Sequence, residues 1–197
     1  ALYSNTAGNN TAFGYRTLFT NTSGVNNVAT GLQALYSNTT GDSNTANGYE
    51  ALKSNTTGSN NSAFGISALY SNTSASYNTA IGHAALHLNT TGTTNTAAGY
   101  NSLYTNTTGY ENVGLGVYAL KENVTGNFNT AVGTEALYNN NASDNTAVGR
   151  RALYSNTSGT NNTAVGRNTL ATNTTGSYNT AVGRESLLAN TTGNNGV

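Results

Sequence analysis

The sequence predicts an all-β fold: a parallel β-solenoid (β-roll or β-helix), in which each 17-residue unit forms one coil. Three observations support this prediction: a strict internal period, an apolar pattern too sparse for helices, and residue columns that recur in every copy. The prediction treats residues 1–197 as one repeat array of eleven full units and a partial twelfth. Because the sequence contains no Met and begins and ends inside the repeat, we expect it to be a segment of a longer fibrous protein.

A leucine marks the period. From Leu2 to Leu187, successive leucines of the array lie 17 residues apart nine times and 16 residues apart twice. Numbered from the residue before its leucine, the unit reads small, Leu, x, x, Asn, Thr, Thr/Ser, Gly, x, x, Asn, Thr, Ala, Val, Gly, x, x. The two short units lack one residue within 4–12 and 139–147. Turns tolerate such a loss, so we expect a turn there.

The apolar pattern excludes a helical repeat. A helix needs apolar residues at spacings of three and four over ten or more positions, whereas each unit here has one Leu and an Ala-Val pair. The intervening Asn, Thr and Gly are poor helix formers. Short strand-like pieces such as TAV and ALY alternate instead with Asn- and Gly-rich corners. With rungs ~4.8 Å apart, eleven coils would form a rod on the order of 50 Å long.

Comparison of the copies identifies the structural columns. Asn occupies position 5 in all twelve units, and we expect its amides to hydrogen-bond from rung to rung. Gly at position 15 indicates a corner with positive φ or close backbone approach. Ala at position 13, replaced only by Gly114, indicates an inward site. The predicted ladder includes Asn38, Asn55, Asn72, Asn89, Leu52, Leu69, Leu86, Gly48, Gly65 and Gly82.

Composition argues against several function classes. Charged residues are 7% of the chain and the formal net charge is zero, so we expect no nucleic-acid partner. The absence of Cys removes thiolate chemistry, and the absence of a long apolar run argues against membrane insertion by this segment. His83 and His87 lie four residues apart, but that spacing has no metal-binding meaning on a solenoid, and the acids are scattered singly. We therefore predict no catalytic residue, metal or cofactor, and no enzyme activity.

Two outward columns are candidate binding sites. Position 3 alternates Tyr with Lys or His, and its Tyr70, Tyr104 and Tyr138 are candidate contacts for sugar rings. The alternative is a stripe that stabilises itself by cation–π contacts between rungs. Position 16 changes along the chain from tyrosines to Arg150, Arg167 and Arg184, which are candidate contacts for an anionic glycan.

The thin interior predicts a homo-oligomer. One buried Leu contributes roughly 1.5–3 kcal/mol, whereas ordering each backbone residue costs about 1–2 kcal/mol. Position 14 accepts residues as different as Phe13, Thr30, Asn47, Ile81, Leu115 and Val132, so we expect it to face solvent or a seam between chains. A trimer is the assembly that we favour. Its seam would run through Ile81, Leu115, Val132, Val148, Val165 and Val182.

The string N-T-A-V-G-x-x-A-L resembles the head repeats of YadA-like trimeric autotransporter adhesins, and similar Asn-Thr-Ala-Val-Gly arrays of phage tail-fibre and bacterial surface proteins. The resemblance implies a left-handed parallel β-roll in a trimeric, extracellular, non-enzymatic fibre on a cell or virion surface. Such a segment holds a binding tip away from its anchor and contacts a glycan or receptor weakly. The alternatives are a purely structural extracellular filament or surface-layer component and, from the Thr columns, an ice-binding solenoid.

Overall fold

The computed structural model describes residues 1–197 as a solenoid of eleven three-residue strands without a helix. Each strand occupies positions 12–14 of its unit. The strands are β1 (Thr11–Phe13), β2 (Val28–Thr30), β3 (Thr45–Asn47), β4 (Ser62–Phe64), β5 (Thr79–Ile81), β6 (Thr96–Ala98), β7 (Val113–Leu115), β8 (Thr130–Val132), β9 (Thr146–Val148), β10 (Thr163–Val165) and β11 (Thr180–Val182).

These strands form one parallel sheet in chain order, from β1 to β11. Equivalent residues pair between rungs, so that Ala46 faces Ala63 and Ala80 faces Ala97. The register holds across the short ninth unit as well, where Ala131 pairs with Ala147. The predicted fold class of one coil per 17-residue unit is confirmed. The left-handed winding stays a prediction.

The ALY segments are turns and not strands, which corrects the sequence prediction. All twelve repeat leucines have a left-handed backbone, with φ between 47° and 53°. Positions 10 and 17 also have positive φ throughout the array, as at Asn60 (59°) and Glu50 (54°). Each coil therefore bends at several left-handed residues, and these bends leave only three residues of each unit in the sheet.

The interior combines aliphatic side chains with amides. Ten repeat leucines are fully buried, and Leu2 and Leu187 in the end coils are partly buried against the same core. Position 13 is buried as predicted, from Ala29 to Ala181. Position 14 points outward, as the notably varied residues there indicated; Ile81 is 48% exposed. Because position 13 points inward and position 14 points outward, the alanines of position 13 form the part of the core that lies beneath the sheet.

The Asn column at position 5 is a continuous hydrogen-bonded ladder. In each rung Nδ2 donates to Oδ1 of the preceding rung, at 2.8 Å for Asn72 to Asn55 and 3.0 Å for Asn89 to Asn72. The same Nδ2 of Asn89 also donates to the Gly92 carbonyl at 2.9 Å. The amide is buried but fully paired, which removes most of the cost of burying it.

The Asn column at position 11 uses different donors. The backbone N–H of Asn78 donates to Oδ1 of Asn61 at 3.0 Å, so here the side chain caps the backbone of the next rung. Nδ2 of Asn78 donates to the Gly92 carbonyl at 2.9 Å. One carbonyl at position 8 therefore accepts from both Asn columns, from Asn89 of its own rung and Asn78 of the rung before. The two ladders are joined at this turn.

The short ninth unit keeps both ladders because the missing residue falls in this turn. Nδ2 of Asn140 reaches the carbonyl of Ala142, two residues on instead of three, at 2.7 Å. Oδ1 of Asn141 accepts from the backbone N–H groups of Val124 and Thr125 at 3.0 and 2.9 Å. In a full unit a backbone carbonyl accepts both, as that of Thr56 does. The predicted turn is thus confirmed, and Asn141 compensates for the deletion.

Glycine at position 15 is required by both conformation and space. Gly82 has φ +125°, and a Cβ there would lie 2.7 Å from the carbonyl oxygen of Gly99. The exceptional Gly114 at position 13 has a separate cause. A Cβ there would lie 2.7 Å from Oγ of Ser102, which donates to the Gly114 carbonyl. Ser102 stands where most units have Ala, and the two exceptions compensate for each other because its hydroxyl is directed at Gly114. The hydroxyls of Thr17 and Thr169 at the same position donate instead to the carbonyls of Gly31 and Gly183, and their units keep Ala at position 13.

Candidate binding surface

The two columns that flank the glycine corner carry many exposed apolar side chains. We call position 14 the seam and position 16 the corner column. The seam includes Phe64, Ile81, Leu115, Val148 and Val165, all 36% to 48% exposed. The corner column contributes further exposed apolar side chains: Tyr15, Leu32, Tyr49, Ile66, Tyr100 and Val117. A contiguous exposed apolar surface of this kind is typical of an interaction site.

The corner column becomes cationic in the last three complete units. Arg150, Arg167 and Arg184 are all exposed on successive rungs beside the seam. Arg184 approaches Glu185 at 3.3 Å, whereas Arg150 and Arg167 form no ion pair with a carboxylate. The structure therefore brings the three predicted arginines together in one column, with two of them unpaired.

Basic residues are confined to one edge of the coil. All seven lie at position 16, 17 or 3, namely Arg16, Lys53, Lys121, Arg150, Arg151, Arg167 and Arg184. Positions 9 and 10, half a coil away, carry only acids among their charged residues, namely Asp42, Glu111 and Asp144. Positions 16, 17 and 3 also carry Glu50, Glu135 and Glu185, so this edge is positive only on balance. Its net positive charge still attracts an anionic ligand more than the weakly acidic edge does.

The aromatic column at position 3 is a stack in which neighbouring rings cover each other. His87 lies between Tyr70 and Tyr104, with centroids 5.0 and 5.2 Å away and ring planes within 18° of parallel. Tyr70 also has the Lys53 ammonium 5.4 Å from its ring centroid, on the side of the preceding rung. Tyr138 likewise lies between Lys121 at 5.1 Å and the Tyr154 ring at 5.2 Å.

This stacking fits the self-stabilising interpretation of position 3. Sugar rings contact aromatic faces, but the faces of Tyr70 and Tyr138 are occupied by neighbouring rungs. A glycan contact at Tyr70, Tyr104 and Tyr138 stays a prediction, and it would use ring edges and hydroxyl groups. Ion pairs add to the stack: Lys53 donates to Glu50 and Lys121 to Glu122, each at 2.6 Å.

These contacts raise the pKa of both lysines. The hydrogen bond from Lys121 to Glu122 is the main cause at Lys121, and its hydrogen bond to the Tyr138 hydroxyl adds to the effect. The hydrogen bond from Lys53 to Glu50 has the same effect on the pKa of Lys53. The pKa of Tyr118 is raised chiefly by desolvation. We call the position-3 column with these neighbouring charged and aromatic groups the outer stack, and each raised pKa favours the protonated form of a group in it.

Other features of the surface offer little chemistry. His83 stacks on Tyr100 at 5.2 Å, and no three His, Cys, Asp or Glu side chains lie close enough to hold a metal ion. The surface carries no pocket, and no helix could cross a membrane. The Thr hydroxyls at position 6 donate to carbonyls of the next rung, as Thr56 does to Thr73, so they are engaged within the rod.

One column was missed by the sequence reasoning. Position 10 carries exposed aromatic rings at Tyr77, Phe128 and Tyr178, which are 64%, 46% and 62% exposed. The sequence does contain one sign of the left-handed backbone at this position. Asn, which tolerates that conformation, is frequent in the column, as at Asn26 and Asn60.

The repeat, the parallel sheet and the joined Asn ladders define a β-solenoid repeat protein. Comparisons with protein-family models, with curated proteins and with solved structures find no match to this chain. The family resemblance of the N-T-A-V-G units therefore stays a prediction.

Proposed function

We propose that this segment is a structural and adhesive rod of an extracellular fibre, assembled as a homotrimer along the seam. The observation that carries the proposal is the seam itself, which is apolar on every rung from Phe64 in β4 to Val182 in β11 and is interrupted only by Thr30 and Asn47 near the start of the array. The fold does not require it, because position 14 points out of the core. Its apolar side chains gain stability only when something covers them.

A second copy of the same chain is the partner that fits the seam best. Each copy presents its outward side chains at the same rung spacing, so two parallel rods match column to column. An apolar centre with a polar rim is the usual arrangement of a stable interface. Here the seam supplies the centre, and the arginines of the corner column lie at the rim.

The assembly is tested by light scattering at micromolar concentration. The seam variant Ile81→Ser/Leu115→Ser/Val148→Ser/Val165→Ser should be a folded monomer, whereas the natural sequence should have the mass of a trimer. A matched control changes four exposed threonines of position 7 to Ala (Thr57, Thr91, Thr108 and Thr175) and should stay trimeric. A monomeric natural sequence with a normal melting curve would remove the proposal.

The adhesive part of the proposal rests on Arg150, Arg167 and Arg184. In a trimer their column occurs three times around the rod, so weak contacts with an anionic cell-surface glycan are multiplied by avidity. Binding to a sulfated or sialylated glycan array should therefore fall when all three become Gln, and should weaken with added salt. Arg16→Gln/Lys53→Gln/Lys121→Gln removes the same charge elsewhere and should keep most of the binding.

The alternative is a purely structural filament or surface-layer component, which shares the rod and the seam but has no receptor. The glycan array separates the two. Trimeric protein whose glycan binding is absent, or unchanged in the triple Gln variant, favours the filament.

A further inference from the structure

The aromatic residues of position 10 are exposed and share the left-handed backbone of their whole column. Tyr77, Phe128 and Tyr178 have φ values of 63°, 57° and 58°. Left-handed backbone is unfavourable for bulky side chains and well tolerated by Asn, which fills this position in five units. An aromatic residue here costs conformational energy that Asn would largely avoid.

Contacts within the fold offset little of this conformational energy. The rings of Tyr77 and Tyr178 stack on no other aromatic ring and no cation, in contrast to the covered rings of position 3. Phe128 has one aromatic neighbour, Tyr110, at 5.1 Å in an edge-on arrangement that leaves ring surface open. Residues held in a costly conformation without a packing role commonly serve a ligand.

We propose that position 10 is a binding strip for a neutral polysaccharide, formed by Tyr77, Phe128 and Tyr178. The three residues lie in the fifth, eighth and eleventh units, so each is three rungs from the next. With rungs ~4.8 Å apart, the rings recur about every 14 Å along one edge of the rod. A single sugar contacts one ring at a time, whereas a polysaccharide chain that lies along the rod contacts all three.

Chemistry and charge identify this class of ligand. The electron-rich face of an aromatic ring attracts the polarised C–H groups on the flat side of a sugar ring. The residues between the rings are Thr94, Glu111, Asp144 and Asn161, which donate or accept hydrogen bonds with hydroxyl groups. Positions 7 to 10 contain no basic residue, and the two carboxylates repel a sulfated or carboxylated chain. The ligand is therefore neutral, in contrast to the anionic glycan proposed for the arginine column.

The test is retention of the full chain on insoluble cellulose, chitin and mannan, with soluble fragments of the retaining polysaccharide as competitors. We expect the natural sequence to be retained on at least one of them. Tyr77→Ser/Phe128→Ser/Tyr178→Ser should bind at least about tenfold more weakly, because three weak contacts acting together are lost. Long fragments should compete far better than the monosaccharide.

Two variants make the result specific. Asn60→Ser/Thr94→Ser/Asn161→Ser changes the same column without removing a ring and should bind normally, as should the triple Gln variant of the arginine column. The aromatic variant should melt no lower than the natural sequence, since its rings are little packed. Failure of the natural sequence to bind any of the three solids, or equal binding by the aromatic variant, would overturn the proposal. So would loss of the trimer in the aromatic variant, which would make the strip an interface between copies.

Discussion

Positions 5 and 14 lie nine residues apart in the same coil, yet they vary very differently along the chain. Position 5 is Asn in all twelve units, whereas position 14 holds Phe, Thr, Asn, Ile, Ala, Leu and Val. The amide at position 5 is buried and joins three rungs through Nδ2 and Oδ1. A substitution by Asp would remove the donor of this position, and a substitution by Leu would remove both the donor and the acceptor. Either change would leave buried polar groups of the neighbouring residues without a hydrogen-bond partner.

Position 14 has no comparable restriction on its residue type. Its side chains leave the sheet outward, and the pairing of β3 with β4 is unaffected by Asn47 lying beside Phe64. The comparison teaches that the interior columns specify the fold and the outward columns are free to specify partners. An apolar residue is therefore more informative about function on the outside of this rod than on the inside.

The largest difference in stability is expected between substitutions of two neighbouring residues, one that faces the core and one that faces outward. Leu103→Asp places an unpaired carboxylate in the core and should cost several kcal/mol of stability. Tyr104→Asp disturbs only a half-buried stack with His87 and should lower the melting temperature far less. Circular dichroism melting curves measure both. Equal losses would show that the inward and outward assignments are wrong.

An intermediate effect is expected from the paired exceptions Ser102 and Gly114. Gly114→Ala alone places a methyl group against Oγ of Ser102 and should destabilise by about 1–3 kcal/mol. Ser102→Ala removes that obstacle and restores the usual residue of position 1. The double variant should therefore be at least as stable as the natural sequence, with a coupling energy of about 0.5–3 kcal/mol. Additive losses in urea unfolding would contradict the compensation.

The smallest effect concerns the outer stack and depends on pH. The folded pKa of Lys121 is raised above its unfolded value of 10.5, mainly by its hydrogen bond to Glu122. Its contribution to stability is therefore fully present below about pH 10.5 and is lost as pH rises through the folded pKa. Lys121→Gln should melt slightly below the natural sequence at pH 8, by less than about 1 kcal/mol, and the gap should shrink in stronger alkali. A gap that grows with pH would contradict this sign.

The sequence predicted the interior well because one chain contains many copies of each site. Repetition separates Asn38 or Gly82, which the coil requires, from Ile81, which it tolerates. The prediction for ALY was wrong because left-handed backbone at Leu is rare, and propensity favours an extended segment there. The use of Asn61 to cap the next rung, and the compensation at Asn141, depend on three-dimensional contacts that no single unit reveals.

The candidate binding residues were less predictable. The sequence placed Tyr70, His87 and Tyr104 in an outward column, although the strand alternation behind that prediction does not apply to a turn. It did not reveal that neighbouring rings cover each other's faces. The strip at Tyr77, Phe128 and Tyr178 was missed because Asn, the sequence sign of a left-handed backbone, fills only five of the twelve positions of this column. Repetition does not identify a binding column, because the residues of such a column differ from rung to rung.

The central claim, that buried Asn ladders hold the coils together, is tested most directly by side-chain amide hydrogen exchange in one NMR spectrum. Asn72 and Asn89 lie in the ladder, whereas Asn26 and Asn60 at position 10 are exposed and serve as internal controls. The ladder predicts exchange at Asn72 and Asn89 that is at least about a hundredfold slower than at the controls, because their amides open only when coils separate. Equal exchange rates for the two groups would contradict it.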